Sequence, residues 1–120
     1  MPARKVGRIQ TRTTFGQLQR SRAKANCGPV RASFVPAAPA EEGVFPQVGY
    51  AIARQCGNAV TRNTLRRRMR ASAELVASSL PKGAYLLRVD PRWAHSDPAT
   101  FTASVQDALQ RAGSAGRSAA

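Results

Sequence analysis

The sequence predicts an α+β fold, a small two-layer sandwich in which helices cover a sheet. Segments with apolar residues at alternate positions, which are typical of strands, are interspersed with segments whose apolar residues recur at helical spacing. Their order is helix, strand, strand, helix, strand, helix, with room for one further edge strand. With 120 residues, of which 42% are apolar, the chain is long enough for one domain with a packed core.

The first half of the chain predicts one helix and two strands. Residues 1–10 are basic and polar, and we expect them to be flexible. Hydroxyl side chains at residues 11–14 can cap the first helix. Apolar residues alternate over residues 30–35 and again over residues 47–54, which predicts two strands. The segment between them is rich in Pro and Ala, which predicts a long hairpin connection, with an edge extension of the second strand just before Pro46.

The second half predicts two helices around one strand. A long helix over residues 58–79 is indicated by an apolar stripe at helical spacing, which consists of Leu65, Met69, Ala73, Val76 and Leu80. A strand over residues 84–89 follows. Asp97 and Pro98 form a helix start, because a capping carboxylate precedes a Pro in the first turn. We expect Gly113 to end this last helix, whose apolar stripe consists of Phe101, Val105 and Leu109.

Charge is the feature of the composition that constrains the function most. Lys and Arg number 19 against 6 Asp and Glu, a net charge of +13, and such an excess repels itself unless a polyanion neutralises it. We therefore expect a single nucleic-acid-binding domain over residues 11–112, between flexible segments at residues 1–10 and 113–120. An anionic membrane surface is the alternative, but small and polar residues, rather than bulky apolar ones, separate the arginines of the most basic segment.

Several classes of protein are disfavoured by what the sequence lacks. Cys27 and Cys56 have no Cys or His at metal-ligand spacing, so we expect two buried or half-buried thiols rather than a zinc site or a disulfide. No apolar run suits a signal peptide or a membrane span, which predicts a cytoplasmic protein. The 6 acidic residues show no spacing suited to two-metal phosphodiester hydrolysis, and His95 is the only histidine, so the polypeptide alone is expected to be inactive.

The densest functional signal is a basic stretch near the start of the long helix. Five arginines fall within residues 62–70, close to a helix N-terminus whose free N–H groups and partial positive charge attract anions. Arg62, Arg66 and Arg70 recur at spacing four, where like charges destabilise an isolated helix by about 0.2–0.5 kcal/mol per pair. A bound polyanion would remove this cost. A solvated basic face without a partner is the alternative interpretation.

This stretch resembles the signature of the bacterial ribonuclease P protein family, a Gly-Asn-Ala-Val run followed by Arg-Asn, two basic residues and a further Arg. The matching residues are Gly57, Asn58, Ala59, Val60, Arg62, Asn63, Arg66, Arg67 and Arg70. The strand before the stretch is similar to the family as well, and so are Arg8 and Ile9, Phe15 in the first helix and Phe34 in the first strand. The resemblance spans roughly residues 8–112.

The resemblance implies a protein subunit of ribonuclease P, which assists removal of the 5′ leader from precursor tRNA while the RNA subunit catalyses the cut. It implies a mixed sheet of about four strands with a left-handed β-α-β crossover, a fold shared with the second domain of a ribosomal protein. The implied contacts with the RNA subunit are Arg54, Asn58, Arg62, Asn63, Arg66, Arg67 and Arg70. The implied leader-binding cleft, between the first helix and the sheet, consists of Arg12, Phe15, Ala32 and Phe34.

The resemblance also defines the expected partners and cofactors. The partners are the ribonuclease P RNA and precursor tRNA, without membrane or DNA, and the cofactor is Mg²⁺ held mainly by the RNA. Some positions depart from the family pattern. Ala53, Arg54 and Gln55 stand where a Ser and two lysines are usual, and Gln19 stands where the first helix would have a second aromatic residue.

Three alternatives remain open. The rings of the expected cleft can stack on unpaired bases, or they can pack in the core like any other Phe. The chain can be a ribosomal protein or a general RNA chaperone with no role in cleavage. It can also be a DNA-binding module that places its basic helix in a major groove.

Overall fold

The computed structural model describes residues 12–36, 46–91, 93 and 97–119. Every helix and strand predicted from the sequence is present in the predicted order, and one strand is additional. In chain order the elements are α1 (Arg12–Arg20), β1 (Lys24–Cys27), β2 (Val30–Pro36), β3 (Gln47–Ile52), α2 (Ala59–Val76), β4 (Gly83–Val89) and α3 (Pro98–Ala119). Short 3-10 turns flank α2 at Arg54–Cys56 and Ala77–Ser79, so β3 ends two residues earlier than predicted.

The four strands form one mixed sheet in the order β1-β2-β4-β3. β4 pairs antiparallel with β2 and parallel with β3. The expected α+β class and mixed sheet are therefore confirmed. α2 connects the neighbouring parallel strands β3 and β4, as expected for the crossover, and the left-handed sense of that crossover stays a prediction.

The prediction that the strands over residues 30–35 and 47–54 pair as a hairpin is wrong. These strands are β2 and β3. β4 lies between β2 and β3 and pairs with both of them. The two strands are consecutive in the chain, and their alternating patterns say nothing about which strand each one pairs with. Residues 37–45, to which most of the predicted connection and its edge extension belong, lie outside the described residues.

The additional edge strand is β1, which precedes β2 instead of extending β3. It pairs antiparallel with the start of β2 across a two-residue turn, so that Cys27 lies opposite Val30. Ala25 and Cys27 are partly buried against the core, whereas the other two residues of the strand are exposed. Four residues with one alternation are a weak strand signal, and Gly28-Pro29 is the hairpin turn that joins this strand to β2.

The main core lies between one face of the sheet and the two long helices. Both predicted helix stripes are buried there, with exposures of 2% or less for Leu65, Met69, Ala73, Phe101, Val105 and Leu109. They pack against the sheet residues Phe34, Tyr85 and Leu87. α1 packs on the opposite face, where the fully buried Leu18 contacts Ala84 and Leu86. The helices α2 and α3 therefore cover one face of the sheet, and the shorter helix α1 packs on the opposite face.

The predicted end of the last helix at Gly113 is wrong, because α3 continues to Ala119. Gly113 is buried in the middle of the helix, next to the loop before β4. A Cβ atom at this position would lie 2.9 Å from both Pro81 Cδ and the Tyr85 hydroxyl. The glycine thus allows a close approach between α3 and β4 rather than a helix end. Residues 114–119 are helical, where a flexible tail was expected.

Candidate nucleic-acid interface

The interface begins at the tight turn that leads from β3 into α2. Gly57 has a φ of 146°, a conformation that residues with a Cβ rarely adopt. A Cβ here would also lie only 2.8 Å from the side chain of Thr61. Asn58 caps the helix, since its Oδ1 accepts a hydrogen bond of 2.9 Å from the N–H of Thr61. The Gly-Asn pair therefore fixes the position and direction of the helix N-terminus.

The basic residues of α2 form one continuous surface beside the buried stripe. We call this surface the basic face of α2, which consists of Arg62, Asn63, Arg66, Arg67 and Arg70. Arg67 and Arg70 are exposed, while Arg62 and Arg66 are half-buried. Asn63 Oδ1 accepts a hydrogen bond of 3.0 Å from Arg66 Nη1, which orients that guanidinium. Arg68 is exposed on the other side of the buried stripe.

The basic face of α2 is not neutralised from within the described part of the chain. None of its arginines forms an ion pair there. Arg62 Nε is buried without a hydrogen-bond acceptor among the described residues. Burial raises the pKa of the Tyr50 hydroxyl on β3 above 10.0, and the neighbouring charge of Arg70 opposes that rise because it favours the phenolate. The surface thus combines at least four guanidinium charges with the positive end of the helix.

Arg54 lies just before α2 in the chain, in the exposed part of the turn Arg54–Cys56. The turn is attached to two other elements. The Cys56 thiol donates a hydrogen bond of 3.4 Å to the carbonyl of Val89 at the end of β4, and Trp93 Nε1 donates one of 3.2 Å to the Cys56 carbonyl. Sequence reasoning missed Trp93, although a lone Trp beside a polar loop is a signal for such an anchoring role.

Two of the four residues expected to line the leader-binding cleft are buried in the main core instead. Phe34 and Ala32 are 2% and 0% exposed, and they point into the main core on the side of α2 and α3. The ring of Phe34 packs against that of Tyr85, with 4.5 Å between ring centroids. Neither residue can meet a base, because the core covers them. Arg12 and Phe15 belong to α1, and their side chains lie outside the description.

The sheet face that carries α1 has an open cleft that sequence reasoning did not identify. Its volume is about 810 Å³, and it lies at the strand ends farthest from α1. Exposed side chains of Arg31 on β2 and Arg88 on β4 line it. Each arginine taken alone is an ordinary outward-facing strand residue. Only the pairing of β2 with β4 brings the two side chains together.

The described residues hold neither a candidate metal centre nor a membrane-crossing element. No three His, Cys, Asp or Glu side chains among them lie close enough together to bind a metal ion. None of the described helices has the length and apolarity that crossing a membrane requires. Both cysteines are free thiols, with Cys56 buried and Cys27 half-buried as expected.

Known proteins share both the sequence pattern and the fold. The family described as Ribonuclease P matches residues 3–113. The RNase P protein from Thermotoga maritima is 19% identical, with a TM-score of 0.70 over 87% of this chain and 96% of that chain. The RNase P protein from Staphylococcus aureus is 19% identical, with a TM-score of 0.60 over 88% of this chain and 90% of that chain. A mutant of the Staphylococcus aureus protein with defective mRNA degradation activity is 14% identical, with a TM-score of 0.72 over 85% and 84% of the two chains. No curated protein matches the sequence significantly.

These similarities agree with the structure of the candidate interface. The family match covers the basic face of α2, the capped turn before it and the whole of the described sheet. The structural matches show the same α+β fold in RNase P proteins of two bacteria. The chain belongs to the ribonuclease P protein family and is a protein subunit of this tRNA-processing ribonuclease.

Proposed function

We propose that this chain binds the catalytic RNA of ribonuclease P through Arg54, Asn58 and the basic face of α2. We propose further that it binds the 5′ leader of precursor tRNA on the sheet face that carries α1. The RNA subunit, with Mg²⁺ that it holds itself, hydrolyses the phosphodiester bond. The protein acts in the cytoplasm, where tRNA precursors are made.

The unpaired basic face of α2 is the observation that carries the proposal. Its guanidinium groups lie along one helix side and have no carboxylate partner among the described residues. Guanidinium forks bind phosphate oxygens through two parallel hydrogen bonds, and an RNA backbone presents such groups at regular spacing. The capped turn at Gly57 and Asn58 fixes where the helix that carries this face begins.

The leader-binding role is supported by the position of α1. Leu18 anchors this helix on the sheet face opposite the main core, so α1 covers one part of that face and leaves the strand ends farthest from it open. Arg12 and Phe15 lie in α1, and a ring there can stack on an unpaired base without reading its identity. We do not include Ala32 and Phe34 in the proposed leader-binding surface, because both are buried in the main core.

Catalysis by the RNA partner is supported by how the described acidic residues are used. Asp97 accepts the N–H of Thr100 as the cap of α3, and Glu74 lies on α2 close to Arg70 and Tyr50. Asp107 is an exposed residue of α3. Among the described residues, no three acidic, His or Cys side chains lie close enough together to hold a metal ion. The Mg²⁺ ions that the reaction needs therefore belong to the RNA in this proposal.

Reconstitution tests the proposed function. Adding the protein to a ribonuclease P RNA at low magnesium concentration should increase the cleavage of precursor tRNA. Arg67→Ala with Arg70→Ala should weaken binding to the RNA subunit, because two exposed phosphate contacts are lost. Log affinity falls with log salt by about 0.7–0.9 per phosphate contact, so the slope should flatten by about 1–2 units. Binding is measured by filter retention across a salt series.

A matched control separates specific contacts from total charge. Lys82→Ala with Arg111→Ala also removes two positive charges from exposed positions, but neither residue belongs to the basic face of α2. This variant should retain nearly all of the affinity. If both double variants lose affinity equally, the basic face of α2 is not the binding surface. If the unmodified protein fails to stimulate cleavage, the proposed function is wrong.

A further inference from the structure

Two buried side-chain atoms lack a hydrogen-bond partner in the described part of the chain. One is Arg62 Nε on the basic face of α2, and the other is the hydroxyl of Tyr50 on β3, the strand before that helix. A buried Tyr hydroxyl usually has a partner, because burial removes it from water. Leaving it without one costs free energy in the folded protein. The Tyr50 hydroxyl is therefore a candidate for a contact with a function.

The topology places Tyr50 beneath the basic side of α2. β3 is an edge strand, and Tyr50 packs against the main core on the sheet face that α2 covers. α3 lies on the other side of α2, where Gln106 donates a hydrogen bond of 3.4 Å to the carbonyl of Ser72. At about 100° per residue, Arg66 and Arg70 lie about 120–160° around the helix from Ser72. They therefore lie on the side of α2 that is turned away from α3, toward the free edge of β3.

Arg70 and Glu74 are the charged residues that act on the Tyr50 hydroxyl. Both lie close enough for their charges to affect it, and the effect of Arg70 is the larger. No hydrogen bond joins the hydroxyl to either residue in the free protein. Glu74 follows Arg70 by one helical turn and is the only acidic residue of α2. Arg70 is thus the last cation of the basic face before the charge changes sign.

The donors and acceptors of these three side chains are complementary. Arg70 is exposed, and a long exposed side chain loses rotamer freedom when it binds a phosphate. A guanidinium has five N–H donors, and a bidentate phosphate contact uses only two of them. The Tyr50 oxygen can accept one of the others, while its O–H can donate to the Glu74 carboxylate. Such an arrangement gives the buried hydroxyl its partners and holds Arg70 in place.

We propose that Tyr50 is a positioning residue for RNA binding, whose hydroxyl accepts a hydrogen bond from Arg70 when that guanidinium holds a phosphate of the RNA subunit. The inference rests on the proposed function and adds to it a residue that lies outside α2. Tyr50 itself contacts no phosphate, because its hydroxyl is buried. Its contribution to affinity therefore depends on the presence of Arg70.

A double-mutant cycle tests this dependence through the affinity of the full-length protein for the RNA subunit. Tyr50→Phe alone should weaken binding by about threefold to tenfold, the effect expected from losing one hydrogen bond. In a protein that already carries Arg70→Ala, the same substitution should have no further effect. In a protein that carries Arg67→Ala, it should keep its full effect, since Arg67 is not among the groups that act on the hydroxyl. Filter retention measures each affinity across a salt series.

Two further measurements separate positioning from packing. The salt slope should stay unchanged in Tyr50→Phe, because no phosphate contact is removed, whereas Arg70→Ala should flatten it by about 1 unit. Urea denaturation should show no loss of stability in Tyr50→Phe, because the hydroxyl has no partner in the free protein. Tyr85→Phe is the matched control. Its hydroxyl donates a hydrogen bond of 2.6 Å to the carbonyl of Pro81, so this variant should lose stability but keep its affinity for RNA.

Each other result overturns the inference in a recognisable way. If Tyr50→Phe weakens binding equally with and without Arg70, the hydroxyl does not act through that arginine. A loss that persists without Arg70 but disappears in a protein with Glu74→Ala assigns the effect to the carboxylate instead. If Arg70→Ala weakens binding and Tyr50→Phe does not, this inference alone is wrong. If the parent protein does not bind the RNA subunit, the proposed function fails and this inference fails with it.

Discussion

Single residues determine where the two long helices begin. Asn58 caps α2, and Asp97 caps α3 by accepting a hydrogen bond of 3.2 Å from the N–H of Thr100. Hydrogen bonds from the Thr100 hydroxyl and N–H hold the pKa of Asp97 below its usual value of 3.8. The charged cap therefore stabilises the fold fully above that usual pKa, and its contribution is lost as the pH falls through the lower pKa of the folded state.

Gly57 is the residue whose replacement most directly tests the start of the basic helix. Gly57→Ala forces a Cβ into a backbone with a φ of 146° and within 2.8 Å of the Thr61 side chain. We expect a loss of about 1–3 kcal/mol in the free energy of unfolding, the usual cost of such strain. Urea denaturation followed by circular dichroism measures it. Gly16→Ala in α1 is the control, since a Cβ there makes ordinary contacts and should be neutral or stabilising.

At the scale of elements, the turn Arg54–Cys56 connects the sheet to the basic helix. It is hydrogen-bonded to the end of β4 through Cys56 and to the following loop through Trp93. The Trp93 ring also packs edge-on against Phe101 of α3, with 6.5 Å between the ring centroids. β4, the loop that contains Trp93 and α3 are distant from this turn in the chain. Their contacts therefore help to fix the position of the N-terminus of α2 and the orientation of its basic face.

Trp93→Phe separates this positioning role from simple packing. The variant keeps an aromatic ring but loses the N–H that donates to the Cys56 carbonyl, which should lower stability by about 0.5–1.5 kcal/mol. Affinity for the RNA subunit should fall a few-fold while the salt slope stays unchanged, because no phosphate contact is removed. Phe101→Leu is the comparison, since it lowers stability from the core. Equal affinities for the two variants under folded conditions would contradict a positioning role for Trp93.

At the scale of the whole molecule, the sheet separates two kinds of surface. One face is covered by α2 and α3 and forms the main core, while the other carries α1 and leaves Arg31 and Arg88 exposed. The basic face of α2 adds a second positive surface at the side of the sandwich. The net charge of +13 on 120 residues favours a polyanionic partner.

The proposal that the RNA subunit catalyses the cleavage gives a prediction for the protein alone. We expect the purified protein to leave precursor tRNA uncut at any magnesium concentration, because the described carboxylates do not form a two-metal site. Cleavage should appear only when the RNA subunit is added. The assay compares rigorously RNA-free protein with the reconstituted holoenzyme. Metal-dependent cutting by the protein alone that disappears on replacing one of its acidic residues would refute the prediction.

Local patterns in the sequence were sufficient to predict most of the elements and to locate the basic face of α2. The capping residues Asn58 and Asp97 and the apolar stripes of α2 and α3 depend on neighbours three or four residues away, so they are visible without a fold. The basic face of α2 follows from the same spacing. The family signature lies within this one helix and the turn before it, and the family match confirms the assignment that it suggested.

Only the tertiary structure decided which side of each strand is covered and which strands are neighbours. Alternation divides β2 into two faces, but it could not show that Phe34 faces the core and Arg31 faces the cleft. Insertion of β4 between β2 and β3 brings Arg88 beside Arg31, and the close approach of α3 makes Gly113 a packing residue. These features depend on contacts between residues far apart in the chain. Hydrophobic periodicity shows which residues of a segment share a face, but it does not show which other segment packs against that face.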